Sequence, residues 1–189
     1  MKTHLLTSLR TLAVFTLLTG FAYPLAVTGL SRLFFKEQAE GSLLTRNGKV
    51  IGSSLLAQKF TSPRYFQSRP SACDYGAMLS GASNLSPTSP ALQQAMQERA
   101  TTWNKPAGGV PVELHTTSGS GLDPHLSPAA ALFQAERIAT ARVMPVVQVK
   151  ALMRQHIEAG ILNQPLVNVL ELNLIMDAGE KSQHPASPP

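Results

Sequence analysis

The sequence predicts an α+β fold: one N-terminal transmembrane helix followed by a single small soluble α+β domain. Three observations carry that expectation. A 21-residue stretch near the N-terminus has no charge, an Asn-Gly pair separates two short apolar runs, and two Ser-Pro pairs each open an amphipathic segment. With 189 residues and 43% hydrophobic side chains, the chain has room for one packed core and an appendage.

Taken in order, residues 1–10 form a short tail carrying Lys2 and Arg10, and residues 11–31 form the transmembrane helix. Thr11 to Ser31 is long enough to cross the ~30 Å hydrocarbon core at ~1.5 Å per residue. A cleaved signal peptide is the rival. Apolar character persists through Leu25, Ala26, Val27 and Leu30, no A-x-A site follows, and Arg32 closes the segment, which favours a retained span. Pro24 predicts a kink of the kind membrane helices tolerate. Lys2, Arg10 and the terminal amine predict a cytoplasmic N-terminus and a soluble domain outside the cytoplasm.

Residues 32–176 are expected to be the soluble domain, and residues 177–189, with three prolines, a disordered tail. Leu43 to Arg46 and Lys49 to Gly52 flank Asn47-Gly48, the signature of a two-residue hairpin turn with both φ angles positive. Phe60 to Ala72 is irregular and aromatic, and Asp74 to Pro90 reads as loop. Ser89-Pro90 opens a helix to about Trp103. Val110 to Leu114 reads as a short edge strand.

Ser127-Pro128 opens a second helix to about Met144, with Leu132, Ala135, Ala139 and Val143 on one face. Pro145 breaks it. A third helix carries Val149, Leu152, Met153, His156 and Ile157 and stops at Gly160. Val167 to Ile175 is apolar enough for a largely buried strand.

Charge narrows the function classes. The net charge is +5, but Lys2, Arg10, Arg32 and Lys36 all precede the first acid, Glu37; from Glu37 onward 12 basic face 11 acidic side chains. The folded domain therefore has no basic face, and nucleic acid is not an expected partner. The single cysteine, Cys73, allows no intrachain disulfide.

The most specified stretch is Thr117 to Pro128, which contains Ser118, Gly119, Ser120, Gly121, Asp123, Pro124 and His125. Serine, aspartate and histidine are the residue types of a catalytic triad, yet three members within eight residues rarely reach one another, and no G-x-S-x-G elbow is present. Asp123 and His125 lack further ligands at metal-binding spacing, and His115 and His156 are isolated, so no metal is expected. Glycine-rich turns can direct N–H groups at a phosphate, but no Gly-Lys-Ser/Thr follows this loop or the small-residue loop Leu79 to Ser83. The plainest account is a rigid turn: Gly119 and Gly121 free to adopt positive φ, Asp123 accepting local N–H bonds, and prolines stiffening a helix entry.

Laid out in this way, the chain resembles the C subunit of the Kdp potassium-transporting P-type ATPase, the KdpC family. The likeness starts with the single span and runs through Gly52 to Phe60, Tyr65 to Ala72, Ser80 to Leu85, Val110-Pro111-Val112 and Thr117 to Pro128. Gln134, Arg137, Ala141-Arg142 and Val167 to Leu170 complete it. The resemblance implies an accessory subunit without independent activity and with no catalytic residues of its own. Its implied partners are a potassium-binding channel-like subunit, an ATP-hydrolysing P-type subunit and a small single-span subunit.

It further implies a catalytic chaperone that raises the ATP affinity of the pump subunit, with ATP shared at the Ser80, Gly81 and Ser83 loop. Here the sequence departs from the family: Ala82 and Ala57 stand where glycine is usual, and a methyl at 82 obstructs close approach of phosphate. The surfaces expected to face partner subunits are Tyr65, Phe66 and Arg69, with Ser118, Gly119, Ser120, Gly121, Asp123 and His125 of the loop. The competing class is a membrane-anchored periplasmic hydrolase using Ser120.

Overall fold

A computed structural model describes residues 2–103, 109–160 and 163–183. The chain divides into two compact units, one ending at Ser53 and one beginning at Ser54. The hairpin expected in the soluble domain therefore falls with the N-terminal helix.

In the first unit one continuous helix runs from Lys2 to Phe34, 33 residues that bury none of their apolar side chains within the chain. At ~1.5 Å per residue it is about 50 Å long, ample for a bilayer. It consists of α1 (Lys2–Leu17), a π turn (Leu18–Ala22) and α2 (Tyr23–Phe34). The π turn is the local answer to Pro24, which has no N–H and whose ring would crowd the carbonyl of Gly20 in a regular helix. Widening the turn lets the Tyr23 N–H reach the Leu18 carbonyl instead. A short helix α3 (Lys36–Ala39) leads to the antiparallel hairpin of β1 (Leu43–Arg46) and β2 (Lys49–Ser53). Asn47 and Gly48 have φ of 52° and 74°, as the two-residue turn requires.

The second unit comprises α4 (Pro90–Thr101), α5 (Pro128–Arg142), α6 (Val146–Gln155) and α7 (Val169–Gln183) with a small sheet, against which α5 and α7 pack. That antiparallel sheet has the order β3 (His125–Leu126), β5 (Pro165–Asn168), β4 (Ile157–Ala159). Phe66, Leu126, Ile138, Val149, Met153, Val167 and Leu172 fill the core. Ser127 caps α5 by accepting the Ala130 N–H at 3.3 Å, and Pro128 occupies the first turn.

Four expectations need correction. Val112–Leu114 is a 3-10 turn, not an edge strand; Pro111 offers no N–H, and the Thr116 N–H turns back to the Val112 carbonyl. The apolar run from Val167 is strand only to Asn168, whose Oδ1 accepts the Leu170 and Glu171 N–H groups and so starts α7. That helix continues through Gln183, seven residues into the stretch expected to be a tail; residues 184–189 lie outside the described residues. The third helix ends at Gln155, and Ile157 belongs to β4.

Val143, placed on the buried face of α5, is instead 94% exposed at φ 54°. It is the left-handed C-cap of α5, a position that usually takes glycine.

Side-chain amides build a ladder that no sequence pattern announces. Asn173 on α7 exchanges two bonds with the backbone of Phe66, 2.8 Å from its N–H and 2.9 Å to its carbonyl. Gln134 on α5 does the same with Gln67, at 2.9 Å for both. Arg137 donates to the carbonyls of Pro63 and Tyr65. The strap of residues 63–67 is thus held as a strand would be, between two helices.

Candidate functional site

The loop from Thr117 to Pro128 is a junction where four other segments of the second unit are tied. Its Ser118 N–H donates to the Pro70 carbonyl at 3.1 Å, and its Ser120 carbonyl accepts both the Gly81 N–H at 2.8 Å and the Ser80 hydroxyl at 2.9 Å. The Leu122 carbonyl accepts the Ala57 N–H, and the Pro124 carbonyl accepts the Val169 N–H, each at 2.9 Å. Leu122 N–H bonds the Ser120 hydroxyl, closing a local turn.

The two glycines differ. Gly121 has φ 70°, and a Cβ there would sit 2.5 Å from the Cys73 sulfur, 2.9 Å from the Gly81 carbonyl oxygen and 3.1 Å from the Ser71 hydroxyl. Gly119 has nothing within 4 Å and no positive φ, so of the two glycines free to adopt left-handed backbone only Gly121 does. Beneath Gly121, the Ser71 hydroxyl accepts the Cys73 and Tyr75 N–H groups. It also lies 3.3 Å from the Cys73 thiol, and this hydrogen bond holds the thiol below its usual range against the opposing effect of burial.

Beyond Gly121 the loop becomes charged. Asp123 accepts the His125 N–H at 3.0 Å, its other oxygen lies 3.5 Å from Arg69, and its Oδ1 is 3.7 Å from His125 Nδ1. Burial pushes the Asp123 carboxyl up, but hydrogen bonds from His125 and the Arg69 charge more than offset it, leaving the pKa lowered. His125 is raised, chiefly by the Asp123 carboxylate 3.7 Å from its ring, against burial and with help from Glu158 and Glu171. Arg69 also donates to the Thr117 carbonyl at 3.2 Å. Arg69, Asp123 and His125, with Glu113 and Gln164, border an open cleft of about 480 Å³. Glu113 is committed: its carboxylate accepts the Ser127 N–H at 2.9 Å.

The expected partner-facing residues therefore separate. Phe66 is wholly buried, Ser118 and Gly121 are buried, and none of the three offers side-chain surface. Tyr65 is half-buried, with its hydroxyl on Asp177 at 3.2 Å and the Arg142 guanidinium 5.1 Å from its ring centre. Gly119 and Ser120 are exposed; Arg69, Asp123 and His125 are half-buried on the cleft.

Of the small-residue loop, Ser80 and Gly81 are spent on Ser120, and Ser83 pairs with Thr117 at 3.4 Å. Among the described residues no hydrogen bond joins Ser120 to His125, so a serine–histidine couple is not assembled. Nor, among the described residues, do three His, Cys, Asp or Glu side chains gather as metal ligands. Asn173 and Glu113 escaped sequence reasoning, and Gln134, named there only for the family resemblance, was given no role. The signal at Gln134 and Asn173 was a polar residue on an otherwise buried helix face.

The family model described as "KdpC: K+-transporting ATPase, c chain" matches residues 5–178. A Polaromonas naphthalenivorans protein is 49% identical over 188 residues, covering 94% of this chain and 96% of its own length. One from Pseudomonas aeruginosa is 50% identical over 175 residues (89% and 93%), and one from Koribacter versatilis 44% over 192 residues (98% and 100%). Each of the three is described as "Potassium-transporting ATPase KdpC subunit". The chain belongs to the KdpC family.

Proposed function

We propose that this chain is the membrane-anchored accessory subunit of an ATP-driven potassium importer, and that its second unit docks on other subunits without doing chemistry itself. The observation that carries this is the family match across nearly the whole chain, residues 5–178. The helix Lys2–Phe34 supplies the anchor, in keeping with its length and apolar surface. Its partners in this proposal are the channel-like potassium subunit, the P-type ATPase subunit and a small single-span subunit, at the inner membrane.

The loop of residues 117–128 acts as a rigid platform, and Gly119, Ser120, Asp123 and His125 are the part that meets a partner. We assign the ATP effect expected of the family, a raised affinity in the pump subunit, to assembly and not to phosphate contact at Ser80, Gly81 and Ser83. The Gly81 N–H and Ser80 hydroxyl are already donated to the Ser120 carbonyl, which takes two of the donors that this loop would otherwise offer an anion.

The test is complementation. In a potassium-limited host without its own importer, the chain is expected to restore growth only when co-expressed with its partner subunits. A Gly119→Asp, Ser120→Arg variant that folds normally should lose both co-purification and growth. Unchanged assembly and transport would overturn the docking role. Turnover of an ester or phosphoester by the isolated chain, abolished by Ser120→Ala, would instead establish a hydrolase. Orientation is read by labelling Cys73 with a membrane-impermeant maleimide in intact spheroplasts; labelling confined to lysed cells would put the second unit in the cytoplasm.

A further inference from the structure

We propose that the groove between residues 59–75 and the end of α4 is a binding site for a single carboxylate borne on an extended, apolar peptide segment of a partner protein. The groove is separate from the 117–128 platform, and has a volume of about 500 Å³. Phe60, Tyr75 and Trp103 supply aromatic walls, with Pro70 between them along the lining.

Two of those walls are fixed before any ligand arrives. Trp103 stands edge-on to Phe133 with ring centres 5.6 Å apart and carries the Arg137 guanidinium 5.3 Å from its centre. Phe60 is held against Tyr65 at 5.2 Å. Preorganised aromatic surface of this kind lowers the ordering cost of binding a flexible peptide.

The polar groups fix the charge of the occupant. Among the described residues Arg99 and Lys59 line the groove, and no carboxylate does. Lys59 is shared with Asp74 at 2.6 Å, so it is largely neutralised. Arg99 gives one N–H to the His115 carbonyl at 3.2 Å and forms no other hydrogen bond among the described residues, which leaves most of its donor fork uncommitted. Ser68, 5% exposed, lies in the lining with a buried hydroxyl that has no partner. The Gln67 side-chain amide is likewise unbonded, since Gln134 takes only its backbone groups.

One guanidinium balances one carboxylate. It falls well short of the three or four charges of a nucleoside triphosphate, and this count selects an acidic peptide over a nucleotide.

Trp103 is the only tryptophan and reports on the groove directly. The full-length chain in neutral detergent micelles is titrated with acetyl-Pro-Leu-Glu-Pro-amide, its Gln counterpart, and ATP, while Trp103 emission is followed. The acidic peptide is expected to give a saturable change, and the Gln peptide to bind about tenfold more weakly. Arg99→Gln should erase that difference, whereas Arg99→Lys should keep most of it. Thermal melts establish that each variant is folded, and the Glu/Gln comparison decides even without a variant. Equal titration by the two peptides, or an unchanged Glu preference in folded Arg99→Gln, would overturn the assignment. Tighter, Arg99-dependent binding of ATP would replace the peptide with a nucleotide and overturn it as well.

Discussion

Replacing Gly121 and Gly119 separately by alanine distinguishes a structural loop from a reactive one. At Gly121 alanine must adopt φ near 70°, which costs an L-residue about 1–2 kcal/mol. Alanine's stiffer unfolded chain offsets about 0.5–1 kcal/mol of that. The new methyl would also lie 2.5 Å from the Cys73 sulfur and 2.9 Å from the Gly81 carbonyl. The thiol can rotate away, but the carbonyl is backbone, and moving it strains the Gly81 N–H bond to Ser120. Overpacking of this kind adds about 1–3 kcal/mol.

The net expectation for Gly121→Ala is a loss of about 2–4 kcal/mol in the second unit. Gly119→Ala, with open space around it, should fall within about 0.5 kcal/mol of the parent. Chemical denaturation of the full-length protein in micelles, followed by Trp103 fluorescence, measures both. Equal effects of the two substitutions would refute the account of the loop as a turn fixed by one left-handed glycine.

Val143→Gly should raise stability by about 1 kcal/mol, because a β-branched residue is held at φ 54° with its side chain 94% exposed and nothing to lose; a lower melting temperature would sink this. Melting temperature against pH should also separate the parent from His125→Asn. The folded pKa of His125 is raised above 6.5, so its contribution is complete at lower pH and is lost as pH rises through the folded value. Asp123, lowered from 3.8, contributes above that value and loses its contribution as pH falls through its folded pKa. Stability should therefore decline from mildly acidic toward alkaline pH in the parent, and that slope should flatten in His125→Asn. Identical slopes would refute the coupling.

Local chemistry was legible where a few adjacent residues determine it. Asn47-Gly48 dictates its turn, Ser127-Pro128 its helix start, and the uncharged run its long helix. Misreadings arose where a distant partner decides. The apolar stretch from Val167 is compatible with strand or helix, and Asn168, by capping Leu170 and Glu171, tips it to helix after one short strand. Phe66 reads as surface because its neighbours are irregular, yet Asn173, 107 residues away, supplies the ladder that buries it. Val143 falls at the right spacing for the core face of α5, but the helix ends one residue earlier. Long-range side-chain to backbone bonds leave no periodic trace.

The same physics explains why the most specified loop in the sequence need not be an active site. A turn that must meet Pro70, Gly81, Ala57 and Val169 through four backbone bonds has little freedom in composition. Each carbonyl at 120, 122 and 124 must point to a different segment, which calls for the alternation of left-handed glycine, Asx turn and proline found there. Specification by geometry and specification by chemistry look alike in a sequence. They separate on exposure: Ser118 and Gly121 are buried, whereas Gly119 and Ser120 are exposed. Substitutions at the buried pair should therefore impair assembly only in proportion to lost stability. Substitutions at the exposed pair should impair assembly with the melting temperature unchanged, and that contrast isolates docking from folding.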